Sequence, residues 1–190
     1  MSLKSGRGNL FFPTINRVKL NNFDLYEYEP NIEVNVNNSV FCLIGANGLG
    51  KTTFLNILNF AITGAIPDTG GKFQSAQEYA DNCTRDGRSE DYFSGRVHES
   101  SRETASATVD LQWESVTLKI TRMFFSNNGI AKLEVSYKDG SRREVYDVKD
   151  GTPVEEINSI YLSKVKELTG LVNFSEFIFL AHFILSLIHI

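Results

Sequence analysis

Cysteine is scarce in this chain. Cys42 sits in an apolar run and Cys83 in a polar stretch, with no metal-ligand spacing between them. Two thiols so placed exclude a disulfide-stapled miniprotein and fit a reducing, intracellular setting. Proline (4), methionine (2) and tryptophan (1) are few as well, and the composition is that of neither collagen nor a low-complexity tract. Positive charge is not in excess. Lys and Arg number 19 against 23 Asp and Glu, for a net charge of -4. That excludes a uniformly basic coat for nucleic acid but not a local basic patch. Long apolar runs are missing too. The longest, Phe177 to Ile190, is broken by His182, Ser186 and His189, and falls short of the roughly 20 residues of a membrane span. Met1 to Asn9 lacks the apolar core of a signal peptide. The expectation is a cytoplasmic protein, nucleoid-associated if bacterial, with no membrane partner. What is present is ample for a core. The chain has 190 residues, 42 % of them apolar, enough for one globular domain or part of a larger one.

Hydropathy period divides the chain. Ile15, Val18 and Leu20 lead to the break Asn21-Asn22-Phe23, and Ile32, Val34 and Val36 then alternate with polar residues as in a half-buried strand. Val40 to Ile44 is a continuous apolar run, the pattern of a buried central strand. A glycine-rich loop follows. Phe54, Leu55, Ile57, Leu58, Ala61 and Ile62 then fall at helical spacing until Gly64 and Pro67. Residues 68–106 are polar, with Val97 the only branched aliphatic. They read as an insertion with a short helix near Ala76 to Ala80, dispensable for folding. From Ala107 three alternating segments and a fourth around Arg143, Val145 and Asp147 form an antiparallel meander, with turns at Asn127-Asn128-Gly129 and Asp139-Gly140. A last helix starts with Thr152 as N-cap, Pro153 as first residue and Glu155 completing a capping box, and ends at Gly170.

Gly45-Ala46-Asn47-Gly48-Leu49-Gly50-Lys51-Thr52 fits G-x-x-x-x-G-K-[ST], the phosphate-binding P-loop. Glycines permit the tight turn that points successive N–H groups at an anion, and the helix opening at Lys51 adds its positive end. Lys51 is placed for the β- and γ-phosphates, the Thr52 hydroxyl for Mg²⁺ and Thr53 for the α-phosphate. The candidate nucleotide site is therefore Gly45, Asn47, Gly48, Leu49, Gly50, Lys51, Thr52 and Thr53, with ATP and Mg²⁺ as cofactors.

The string Gly-Ala-Asn-Gly-Leu-Gly-Lys-Thr-Thr-Phe-Leu, with Asn47 before Gly48, resembles the P-loop of ABC-type ATPases. It is most similar to their DNA-acting branch, the SMC, RecF and RecN-like repair and defence ATPases. Arg17 to Phe23 looks like that branch's opening strand. The resemblance implies an α/β fold: an ABC-type N-terminal lobe with a mixed core sheet, a P-loop helix and an antiparallel meander. It further implies that residues 1–190 are the N-terminal part of one ATP-binding head, with the 68–106 insertion. The C-terminal half, a coiled coil, a second head joined through ATP, and DNA are then its partners. No Walker B or Leu-Ser-Gly-Gly-type signature string occurs, and Ala107 to Asp110, the nearest Walker B match, reads as a strand. By this resemblance the chain binds ATP weakly alone and hydrolyses it negligibly. The family's Q-loop glutamine has no counterpart in Phe177 to Leu185, where His182 is either its stand-in or a packed core residue.

Other readings stay open. Asp68-Thr69-Gly70-Gly71 mimics the D-x-x-G motif of a GTPase switch, though no N-K-x-D string occurs. A compact P-loop nucleotide kinase and a non-catalytic assembly module are further alternatives. Arg85, Arg88, Arg96 and Arg102, with the pair Arg142-Arg143, are candidate DNA-backbone contacts, or, since the insertion holds at least as many acidic residues, charges of a solvated loop; the edge Lys4, Arg7, Arg17 and Lys19 is a candidate DNA or nucleotide contact. The terminal string Leu185 to Ile190 is either a genuine apolar strand or helix or the translated read-through of a sequencing adapter, which it resembles.

Overall fold

Side chains that alternate between core and solvent build the sheet. The computed structural model describes residues 10–36, 43–44, 48, 50–126, 129–140 and 142–187. β1 (Thr14–Asn21) and the short β2 (Glu33–Asn35) form its beginning. The meander adds β3 (Ser106–Gln112), β4 (Val116–Met123), β5 (Ile130–Tyr137) and β6 (Arg143–Asp147). The order is β2-β1-β3-β4-β5-β6, and every pair is antiparallel. One cross-strand row, Val34, Val18, Val109, Ile120, Leu133 and Tyr146, runs through all six strands. Apolar neighbours at this spacing hold the register, because a one-residue slip would turn each to the wrong face.

The α/β class is as expected, with two differences. The meander continues the first two strands in one sheet rather than standing beside it, and among the described residues no parallel pair makes that sheet mixed. In the expected central strand, Val40, Phe41 and Cys42 lie outside the described residues. Leu43 and Ile44 are not in a strand, and Ile44 is 87 % exposed.

Helices pack on the sheet and on one another. α1 (Lys51–Thr63) lies on β3 and β4. α2 (Ala76–Cys83) and α3 (Arg88–Phe93) come from the polar segment. α4 (Val154–Thr169) lies on β5, and α5 (Phe174–Leu187) crosses α1 and α2. Ser75 caps α2, accepting from the Glu78 N–H at 3.1 Å. α4 begins one residue later than its capping pattern implies: Pro153 is its N-cap and no side chain closes a capping bond. Gly170 ends it in the left-handed region, as expected.

The 68–106 segment is not a solvated loop. Phe93 is fully buried, with its ring 5.1 Å from Phe60 of α1, 4.3 Å from Phe124 and 6.2 Å from Phe23. Tyr79, Ala80 and Cys83 of α2 bury against Ala65 and Ile178. The segment contributes to the core through aromatic and small side chains, which a search for branched aliphatics passes over. Its removal would empty the centre of the domain, contrary to the expected dispensability. Phe93→Ala is expected to cost about 3–5 kcal/mol by cavity formation, read as a lower midpoint in urea. The exposed Tyr28→Ala is expected to stay within about 0.5 kcal/mol of the parent.

Candidate functional site: the two ends of the P-loop helix

α1 starts where the motif requires. Gly50 is its N-cap, at φ 80 and ψ 15, in the left-handed region that side chains disfavour. Gly48 shares this conformation at φ 87, with open space where a Cβ would stand. At Gly50 a Cβ would come within 3.0 Å of the Tyr26 ring. The Tyr26 hydroxyl donates to the Gly50 carbonyl at 3.0 Å, and the Phe54 N–H donates to the same oxygen at 2.9 Å. Burial, with the nearby Tyr92, pushes the Tyr26 hydroxyl up to about 12. On the next turn Asn56 donates to the Tyr92 hydroxyl at 2.9 Å. Thr52 is exposed, and Lys51 and Thr53 are half-buried, at the helix mouth. Gly45, Ala46, Asn47 and Leu49 lie outside the described residues. The first turn carries no acidic residue, so the helix's partial positive charge meets no carboxylate of its own. That donor set fits an oxyanion such as a nucleotide phosphate.

The other end of α1 is closed. Four carbonyls at a helix C-terminus lack partners within the helix, and here they face the core. Gly64 N–H donates to Phe60 O at 2.7 Å, and Arg122 of β4 donates to Ala61 O at 3.2 Å. The Tyr161 hydroxyl of α4 donates to Ile62 O at 2.6 Å. Asn59 reaches past the end to Ala65 O at 3.0 Å. Arg122 occupies an inward slot of β4, after Val116, Leu118 and Ile120. Burial lowers its pKa to about 10, so at neutral pH it remains a cation against the negative end of the helix dipole.

A family model described as an AAA domain matches residues 17–178, from β1 into α5. The chain belongs to this family of P-loop ATPases. Nucleotide binding is thereby its function in the coarse sense. No curated protein matches the chain.

His182, just past the matched residues, lies on α5, half-buried, its ring 5.6 Å from that of Tyr79. Tyr79 belongs to the cluster around Ala65, just beyond the C-terminus of α1. The Lys51 end is about 20 Å away along the helix, at 1.5 Å per residue. Among the described contacts, none brings His182 to Gly50, Lys51, Thr52 or Thr53.

The candidate basic contacts are largely committed within the domain. Arg17 bonds Asp110 at 2.9 Å and pairs with Glu33 at 3.4 Å, while Lys19 pairs with Glu33 at 3.9 Å. Arg88 donates to Ile66 O and Pro67 O at 2.9 and 3.1 Å. Arg96 stacks on Tyr92, and Arg102 lies over Phe125. Arg142 and Arg143 pair with Glu144 and Glu134. Lys4 and Arg7 lie outside the described residues. The switch-like Asp68 closes its own turn, accepting from Gly70 and Gly71 N–H at 3.0 and 3.2 Å and from Asn82 at 2.7 Å. Those bonds hold its carboxyl below the ordinary range. Asp110 alternates with the buried Val109 and Leu111 and faces away from α1, as a strand residue does. Among the described residues no three His, Cys, Asp or Glu cluster to hold a metal. No described helix is long and apolar enough to cross a membrane.

Sequence reasoning missed Arg122, Tyr161 and Tyr26. Only Arg122 left a signal, as a charge continuing an inward alternation. Arg122→Ala leaves the Ala61 carbonyl buried without that donor. The expected loss is about 1.5–3 kcal/mol, measured by urea unfolding. His182 gives a pH signature. Burial lowers its pKa below the ordinary 6.5, so its contribution is present above pH 6.5 and lost as pH falls through the lowered folded value. His182→Leu is expected to reduce the fall in Tm between pH 7.5 and 5, measured by calorimetry against the parent.

Proposed function

We propose that this chain is the nucleotide-binding N-terminal part of an SMC/RecF-like ATPase head, taking ATP with Mg²⁺. The observation that carries the reading is the polarity of α1: its C-terminal carbonyls are bonded by Arg122 and Tyr161, while its N-terminal turn carries glycine, lysine and threonines and no acid. In this reading successive backbone N–H groups cradle the phosphates, Lys51 supplies a point charge between β and γ, and the exposed Thr52 hydroxyl is a ligand for Mg²⁺.

Hydrolysis needs a carboxylate to position water and a group to steady the transferring phosphoryl. We assign these to a C-terminal half of the head and to a second head across an ATP-sandwiched dimer, with DNA as the substrate acted on. The GTPase alternative draws no support from Asp68, whose oxygens serve its own turn and Asn82.

Calorimetry with ATP and Mg²⁺ tests the site. Lys51→Ala removes a charge-assisted contact worth roughly 1.5–3 kcal/mol, so ATP affinity is expected to fall about tenfold or more. Equal affinity for parent and variant would refute the site. GTP binding tighter than ATP, or phosphoryl transfer to a nucleoside acceptor, would refute the ATPase-head reading. Steady-state phosphate release from this chain alone is expected to be negligible.

A further inference from the structure

The loop between β1 and β2 reaches the mouth of α1 through Tyr26. Tyr26 stacks on Phe23 at 5.3 Å, and Phe23 is itself locked among Phe93 and Phe124. Its hydroxyl ends on the Gly50 carbonyl, and its ring fills the space where any side chain at residue 50 would stand. This oxygen accepts twice, from Tyr26 and from the Phe54 N–H. A peptide group is planar and trans, so fixing the Gly50 oxygen also fixes the opposite N–H of the same plane. That N–H belongs to Lys51. It lies in the first helical turn, whose donors point out of the N-terminus towards a bound anion. A donor bonded to the carbonyl also polarises the peptide and strengthens its N–H as a donor.

We propose that Tyr26 is a positioning residue of the nucleotide site: through the Gly50 carbonyl it orients and polarises the Gly50–Lys51 peptide whose N–H meets the phosphate chain. The inference rests on the nucleotide-binding reading above and deepens it. Tyr26 touches no phosphate itself. It connects the phosphate cradle to the aromatic core, and Phe93 brings the 68–106 segment into the same support. Tyr92 of that segment, bonded by Asn56 of α1, buttresses the adjoining turn. The effect acts on phosphates and is independent of the base.

The test uses Tyr26→Phe, which keeps the ring and removes the hydroxyl, in the full chain. Calorimetry is run with ATP and with inorganic tripolyphosphate, and the Lys51 amide is followed by NMR in protein labelled with ¹⁵N-lysine. The expected result is affinity about three- to tenfold weaker for both ligands, the range of one lost hydrogen bond. The Tm of the ligand-free protein should be within about 2 °C of the parent, and the Lys51 amide proton should shift upfield. Unchanged affinity for both ligands overturns the proposal. Weaker binding with a matching fall in ligand-free Tm and an unmoved Lys51 amide also overturns it, assigning Tyr26 to the core alone. Weaker ATP binding with tripolyphosphate unaffected overturns it too, because the hydroxyl would then act at the base. If the parent binds neither ligand, the underlying nucleotide reading fails, and the proposal with it.

Discussion

A helix brings opposite partial charges to its two ends, and this domain treats the ends of α1 in opposite ways. The C-terminal carbonyls are driven into the core by Phe54, Ile57, Phe60 and Ile62, where a bare carbonyl would cost free energy. Arg122 and Tyr161 reach them from two different elements, β4 and α4. Burying a guanidinium is itself costly, and its lowered pKa records that cost. The negative helix end and the Tyr161 ring beneath it, 5.7 Å away, offset part of it. With that end bonded by β4 and α4, the opposite end of α1 is left at the surface, where Thr52 is exposed.

The support for the site comes from residues distant in sequence. Phe23, Phe60, Phe93 and Phe124 come from the loop after β1, α1, α3 and the turn after β4, and their rings meet in tilted and edge contacts between 4.3 and 6.2 Å. Such pairs add to the burial they provide. Tyr26 extends this cluster to the Gly50 carbonyl. The polar segment thus packs behind α1 through Phe93 and Tyr92, while Arg88, Arg96 and Arg102 bond local carbonyls and ring faces.

The open face of the sheet balances its charge. Arg17, Asp110, Lys119 and Glu134 stand opposite one another in a row across β1, β3, β4 and β5, with alternating sign. Arg17 bonds Asp110, and Lys119 pairs with Glu134 at 3.3 Å. Burial pushes the Glu134 carboxyl up, but the Arg143 bond and the charges of Lys119 and Lys132 outweigh it and hold it below its ordinary range. Opposite charges at cross-strand positions stabilise the sheet and neutralise each other's field at a distance. The lysines and arginines of this row are thus paired within the sheet.

Sequence by itself determined the phosphate motif, the start of its helix at Lys51, the alternating strands of the meander and the stop at Gly170. These signals are local: a glycine that must adopt positive φ, a period of two, a period of 3.6. It also placed Asp110 in a strand rather than a catalytic motif. Tertiary structure decided the rest. β1 pairs with β3 across the whole of α1 and the polar segment, and no local pattern records that. Phe93 reads as one aromatic in a polar stretch until the fold places Phe60 and Phe124 around it. His182 follows the same rule. Its neighbours in sequence leave it between two roles, and only the packing of α5 on α2 puts its ring beside Tyr79. The clamp on α1 was least legible, because a helix end chooses its partners in space, and Arg122 and Tyr161 lie 61 and 99 residues away from the carbonyls they bind.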